Sequence, residues 1–112
     1  MKTPVVFAAA CGLLLAAWPA AAATPPLKGA VGPGDTITMS AKPKRAGTYK
    51  LTVQDRSDEH NFRLRGPGVN VATGVGSAGT KTFTVKLKAG KTYTFLCDPH
   101  SDEMRGSFRV PA

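Results

Sequence analysis

Four side chains with metal-donor atoms occur at a spacing that could form one site. Cys97, His100 and Met104 lie within the stretch FLCDPHSDEM, residues 95–104, and His60 lies far upstream. Cysteine offers a soft thiolate, histidine a borderline nitrogen and methionine a weak thioether. A ligand set that mixes these donors suits a soft or borderline transition metal.

The composition of this donor set favours copper over zinc, the main competitor for cysteine and histidine ligands. Structural zinc usually takes four strong ligands, often with two or more thiolates. Here Cys97 supplies a single thiolate, because Cys11 belongs to an N-terminal segment that we expect to be removed. Two histidines, one cysteine and a distant methionine are the donor combination of a blue-copper electron-transfer site.

Each donor also has a purely structural alternative. Cys97 could be a small buried hydrophobe, and His60 could be a core histidine that bonds a backbone carbonyl. His100 could be an exposed loop residue, and Met104 could fill a hydrophobic gap. These alternatives compete with the metal site until the side chains are placed in three dimensions.

Short strands must position these donors, because the chain reads as strand-like runs separated by turn residues. The runs are DTITMS, GTYKLTVQD, HNFRLRG, TKTFTVKLK, KTYTFLC and GSFRV, preceded by an expected edge strand near residues 27–31. No helix is evident, and the stretch NVATGVGSAGT, residues 70–80, is expected to be a loop between sheets. This spacing predicts an all-β sandwich or barrel.

Alternation along two of these runs predicts which side chains face the core. His60 shares a face with Phe62, whereas Asn61 falls on the opposite face. Cys97 shares a face with Phe95. Because successive side chains on a strand point to opposite faces, the pattern turns both His60 and Cys97 inward.

The N-terminal residues predict export. A positive start, the apolar run VVFAAACGLLLAAW and three alanines before residue 24 match a signal peptide. We therefore expect a signal peptide over residues 1–23, cleaved near Ala23, and one domain over residues 24–112 in the periplasm or secreted. A membrane anchor is the alternative, but the run is shorter than the roughly 20 residues that span a bilayer. Cleavage leaves Cys97 unpaired in an oxidising compartment, where a lone thiol needs protection.

The charge of the chain bears on its partners. The formal net charge is +8 at pH 7, and the lysines and arginines are scattered along strand faces rather than clustered with aromatic residues. An exported protein rarely meets nucleic acid, so we expect no nucleic-acid partner and no stable membrane insertion. The basic surface would attract an anionic partner at low salt, although Asp98, Asp102 and Glu103 near the site could orient a basic one. We expect a monomer that meets its partners transiently.

The sequence resembles the cupredoxins, the family of plastocyanin, amicyanin, pseudoazurin and azurin. The resemblance lies in CDPHSDEM, in HNF beginning at His60, in GPGV shortly after it, and in the approach LKAGKTYTFLCDPH. It implies a small Greek-key β-sandwich or barrel and one type 1 copper ion. It also implies that His60, Cys97 and His100 are equatorial ligands, that Met104 is axial, and that Asn61 ties the ligand loops together by hydrogen bonds.

The length of the ligand loop differs from that in the plastocyanin-like and amicyanin-like members of the family. Three residues separate His100 from Met104, whereas plastocyanin-like members have one more and amicyanin-like members have one fewer. Loop length varies in this family, so copper binding is still expected, and Met104 is the ligand to test first. Pro99 stiffens the loop by fixing its own φ.

The resemblance implies a one-electron carrier that cycles between Cu(I) and Cu(II) and is not an enzyme. Two other classes stay open. A periplasmic copper carrier or storage protein would use similar donors, usually in exposed tracts of several methionines or histidines. A metal-free interaction module on the same scaffold would lack one or more ligands, and all four are present here.

Overall fold

The computed structural model of the chain describes residues 26–40 and 42–112, so the expected signal peptide over residues 1–23 lies outside the described residues. The described part contains eight strands and one turn of 3₁₀ helix. They are β1 (Leu27–Val31), β2 (Ile37–Met39), β3 (Gly47–Asp55), β4 (Arg63–Gly66), β5 (Val69–Ala72), β6 (Gly79–Leu87), β7 (Thr92–Leu96), the 3₁₀ turn (Asp98–His100) and β8 (Arg105–Arg109). Within these residues no helix is long and apolar enough to cross a membrane.

The strands form two four-stranded sheets. Sheet A has the order β2-β1-β3-β6 and sheet B has the order β5-β4-β7-β8. All neighbouring strands are antiparallel except β1 and β3, which are parallel. The chain crosses between the sheets at the β3–β4, β5–β6 and β6–β7 connections, as in a Greek-key sandwich. The all-β sandwich is therefore confirmed.

The core lies between the two sheets and follows the period-two pattern of the sequence. Along β3, Tyr49, Leu51 and Val53 are buried, whereas Lys50 and Gln54 are exposed. Full burial of one such apolar side chain contributes about 1.5–3 kcal/mol. The buried apolar cluster comprises Leu27, Val31, Tyr49, Leu51, Val53, Phe62, Leu64, Val69, Val85, Leu87, Tyr93, Cys97, Met104, Phe108 and Val110.

Three expectations about individual strands are corrected. The strand at residues 27–31 exists, but it is an inner strand of sheet A because β2 covers its outer side. The expected loop over residues 70–80 contains most of β5, which forms a tight hairpin with β4 through Gly68 at φ +74°. Finally, β4 begins at Arg63, so His60 precedes the strand instead of opening it.

The register of sheet B determines where the donor residues meet. Arg63 at the start of β4 pairs with Leu96 at the end of β7. Because the two strands are antiparallel, the residues just before β4 lie beside the residues just after β7. His60 and Cys97 are thereby brought to the same end of the sandwich.

Candidate metal centre

Three donor atoms converge at this end of the sandwich. The Nδ1 atoms of His60 and His100 are 3.0 Å apart, and Cys97 Sγ lies 3.6 Å from the first and 3.7 Å from the second. A circle through three atoms at these separations has a radius of about 2.0 Å, so one point inside the triangle is about 2.0 Å from every donor. Metal bonds to imidazole nitrogen and thiolate sulfur are about 2.0–2.3 Å long in zinc sites. The triangle therefore has room for one small transition-metal ion.

The three residues differ in their access to solvent. Cys97 is fully buried and His60 is 2 % exposed, whereas His100 is partly exposed. The two imidazole rings meet edge to face, with centroids 4.7 Å apart. The thiol is thus shielded from external oxidants and other thiols, and His100 is the donor that connects the centre to the surface.

The loop after β7 wraps into a compact turn that places His100 beside Cys97. Pro99 occupies an early position of the 3₁₀ turn, where its fixed φ is compatible with helical geometry. The His100 N–H donates to the Cys97 carbonyl at 3.2 Å, and the Met104 N–H donates to the His100 carbonyl at 2.8 Å. The Cys97 N–H closes the loop by donating to the Met104 carbonyl at 3.0 Å.

Met104 lies within the same compact loop. Its side chain is 1 % exposed and belongs to the apolar core, and its backbone bonds join it to both Cys97 and His100. Its thioether is therefore shielded from solvent. The structure thus brings the donor atoms of His60, Cys97 and His100 together and places Met104 in the same loop as Cys97 and His100.

Asn61 joins the segment of His60 to the loop of Cys97. Its Oδ1 accepts the Asp98 N–H at 2.7 Å, and its Nδ2 donates to Asp98 Oδ2 at 2.8 Å and to the Thr73 carbonyl at 3.1 Å. The strand alternation placed Asn61 on the outer face, but it is only 2 % exposed. That expectation is wrong because residues 60–62 precede β4 and do not follow strand geometry.

A second bond between the same two segments is the ion pair of Arg63 with Asp98. Arg63 Nε and Nη2 donate to the two carboxylate oxygens at 2.7 and 2.8 Å. Hydrogen bonding from Arg63 is the main cause that lowers the pKa of Asp98, with a smaller contribution from Asn61, while partial burial opposes the shift. The same bond raises the pKa of Arg63. The residues are 35 positions apart, so nothing in the local sequence indicated this pair.

His60 has an outer contact that the sequence did not indicate. Asp35, in the turn between β1 and β2, lies with Oδ1 3.0 Å from His60 Nε2. Since Nδ1 of the same ring faces Cys97 and His100, the two ring nitrogens have different surroundings. One nitrogen is available as a donor atom, and the other contacts a carboxylate.

The chemistry of the grouped donors fits copper. One thiolate and two imidazoles at this spacing match the blue-copper donor set, and the loop that carries Cys97 and His100 also contains the Met104 thioether. The fit to zinc is poorer because Cys97 is the only cysteine among the described residues. A copper ion held here would supply one-electron redox chemistry.

The comparisons with known proteins agree with this geometry. The family model described as copper binding proteins, plastocyanin/azurin family, matches residues 30–111. Among solved structures, reduced rusticyanin determined by NMR aligns with a TM-score of 0.54 and 23 % sequence identity, covering 75 % of this chain and 74 % of that one. At this identity the likeness to rusticyanin shows the fold alone. The comparison with curated proteins gave no match. The chain belongs to the plastocyanin/azurin family of copper-binding proteins.

Proposed function

We propose that the protein is an exported type 1 copper protein that carries one electron at a time between redox partners. His60, Cys97 and His100 are the equatorial ligands in this proposal, and Met104 is the axial ligand. The observation that carries it is the triangle of two Nδ1 atoms and one Sγ, with sides of 3.0–3.7 Å, at the buried end of the sandwich.

The scaffold supports electron transfer because hydrogen bonds hold together the segments that carry the donors. Cys97 is anchored by its backbone bond to Met104, and the segment of His60 is anchored to the loop through Asn61. Donors on segments that are tied together in this way need little reorganisation when the charge of the site changes by one. Burial of the thiolate and hydrogen bonds around the ligands tune the potential of such a site.

His100 is the route by which an electron reaches the surface in this proposal. It is the only one of the three clustered donors that is partly exposed. A partner that docks over His100 would approach the centre through a single imidazole ring. His60 and Cys97 are too deeply buried to take this role.

The charge distribution supports a brief encounter between partners rather than a permanent complex. The chain has a formal net charge of +8, which attracts an anionic redox partner over a distance at low ionic strength. Asp102 and Glu103 are exposed on the loop of His100, so the surface at the point of contact is locally acidic and would favour a basic patch on the partner there. Association should therefore be fast, weak and sensitive to salt.

Spectroscopy of the copper-loaded mature protein tests the proposal. Addition of Cu(II) should produce an intense thiolate-to-copper absorption band and narrow copper hyperfine splitting in electron paramagnetic resonance. Cys97→Ser should abolish the band, whereas Ser101→Ala, which changes a hydroxyl on the same loop, should retain it. A colourless wild-type protein with ordinary copper signals would refute the proposal.

Electron self-exchange separates transfer from copper carriage. A carrier of electrons should exchange rapidly between its oxidised and reduced forms and should retain copper during dialysis. Slow exchange together with ready loss of copper to a competing chelator would favour carriage or storage instead.

A further inference from the structure

Asp35 contacts the buried ring of His60 from the side opposite to the donor triangle. Its Oδ1 lies 3.0 Å from His60 Nε2, while His60 Nδ1 lies 3.6 Å from Cys97 Sγ. The side chain of His60 is 3 % exposed and that of Asp35 is 70 % exposed. A solvent-facing carboxylate thus reaches the outer nitrogen of a buried ring.

The turn that carries Asp35 is packed against the segment leading to His60. Gly32 has φ +69°, and its N–H donates to the Thr36 carbonyl at 2.8 Å, which closes the turn between β1 and β2. A Cβ at Gly32 would lie 3.0 Å from Ser57 Cβ, a tight contact, and L side chains rarely adopt this positive φ, so glycine suits the close approach of the two segments. The Arg56 N–H donates to the Val31 carbonyl at 2.9 Å. Asp35 is therefore placed by a tight backbone arrangement although its side chain is exposed.

We infer that Asp35 is a positioning residue of the copper centre. Its carboxylate accepts the Nε2–H of His60, which fixes the tautomer of the ring and leaves the Nδ1 lone pair directed at the metal position. A carboxylate in this outer position also makes the imidazole a stronger donor. This inference rests on the proposed copper function.

The carboxylate should matter more for Cu(II) than for Cu(I). The negative charge of Asp35 adds to the electron density on the imidazole of His60. Cu(II), the more highly charged ion, is stabilised more by this electron density than Cu(I) is. Loss of an outer partner of a metal-bound histidine typically lowers metal affinity by about 10–100-fold. If Cu(II) affinity falls about tenfold and Cu(I) affinity is unchanged, the one-electron potential rises by about 59 mV.

Two substitutions at Asp35 separate the hydrogen bond from the charge. Asp35→Asn retains an acceptor oxygen but removes the negative charge, whereas Asp35→Ala removes both. Asp58→Asn is the matched control, since Asp58 is an exposed acid in the segment just before His60 and forms no side-chain hydrogen bond or ion pair within the described residues. Urea unfolding of each variant verifies that the fold is retained.

The first measurement is the tautomer of His60, read from ¹⁵N NMR of the ring in the metal-free protein. Wild type and Asp58→Asn should carry the proton on Nε2, and Asp35→Ala should show a mixture of tautomers. The second measurement is the affinity for Cu(II) and for Cu(I), each determined by competition with a chelator. Asp35→Ala should lose about tenfold in Cu(II) affinity, Asp35→Asn should fall between it and wild type, and Asp58→Asn should stay within about twofold.

The outcomes distinguish the two proposals. If wild type lacks the thiolate-to-copper band, the proposed function fails, and the tautomer in the metal-free protein still decides whether Asp35 orients His60. If wild type is blue but Asp35→Ala leaves both the tautomer and the ratio of Cu(II) to Cu(I) affinity unchanged, the role of Asp35 is overturned. An equal effect of Asp58→Asn would overturn it as well, because the effect would then be general electrostatics.

Discussion

Replacement of Asn61 by alanine should strongly destabilise the protein, because this side chain joins two segments that carry different ligands. It makes three hydrogen bonds, to the Asp98 N–H, the Thr73 carbonyl and the Asp98 carboxylate. The two neutral bonds contribute about 1 kcal/mol each, and the bond to the carboxylate contributes about 1.5 kcal/mol, the low end for charged groups because Asp98 is partly exposed. Asn61→Ala should therefore lower the free energy of unfolding by about 3.5 kcal/mol.

Urea unfolding of the metal-free protein, followed by circular dichroism, measures this loss without interference from copper. The midpoint should fall while the slope m stays constant, as expected when stability changes but the exposed surface does not. Asn70→Ala is the matched control, since Asn70 is exposed and accepts one hydrogen bond from Arg63, and it should cost less than about 1 kcal/mol. If the two variants lose equal stability, or if Asn61→Ala loses less than about 1 kcal/mol, the reasoning about this junction is wrong.

Three further predictions concern other parts of the structure. Met104→Leu conserves side-chain volume and should lower the free energy of unfolding by less than about 1.5 kcal/mol. Loss of the weak axial donor should leave the thiolate-to-copper band in place and raise the reduction potential. Disappearance of the band would contradict this prediction. Gly106→Ala would overlap the Phe95 ring on the neighbouring strand and should cost about 1–3 kcal/mol by thermal or urea unfolding, so an unchanged midpoint would contradict the packing. Hydrogen bonds from Arg63 lower the pKa of Asp98 in the folded state. The resulting stabilisation is present above the pKa of about 3.9 that an aspartate has in the unfolded chain, and it is lost as pH falls through the lower pKa of Asp98 in the folded state. Arg63→Gln should therefore weaken the dependence of the free energy of unfolding on pH in this acid range.

The inward placement of the two deepest donors could be predicted from sequence. Alternation in KTYTFLC and HNFRLR predicted that Cys97 and His60 face the core, and both are buried. At Cys97 the reasoning works because this residue directly continues β7, whose inward side chains belong to the core between the sheets. His60 lies three residues before β4, so its burial comes from contacts with the loop of Cys97 and not from strand alternation. For Asn61 the same rule fails, since it applies only within a strand and β4 begins two residues later. His60, Asn61 and Phe62 are all buried, because the first two contact the loop of Cys97 and the third packs against Gly29 and Phe95.

The pairing of strands could not be predicted from local pattern. The sequence over residues 70–80 is rich in glycine and small residues, so its composition indicates a loop and gives no sign of β5. That strand forms because its backbone pairs with β4 across the Gly68 turn. Similarly, the sequence predicts β1 as an edge strand, since nothing near residues 27–31 indicates that β2 folds back to cover it. Such pairings depend on tertiary contacts that override local propensity.

The distance between His60 and the two donors of the loop depends on strand register and not on any local motif. Leu64 pairs with Phe95 and Arg63 with Leu96, and this alignment sets His60 beside Cys97. A slip of one residue would turn the side chains of β4 to the other face and bury Arg63 in place of Leu64. The core contacts of Leu64 therefore hold the register that the metal centre requires. The residues of the site indicate which metal is bound, but the apolar residues of sheet B determine whether the donors meet.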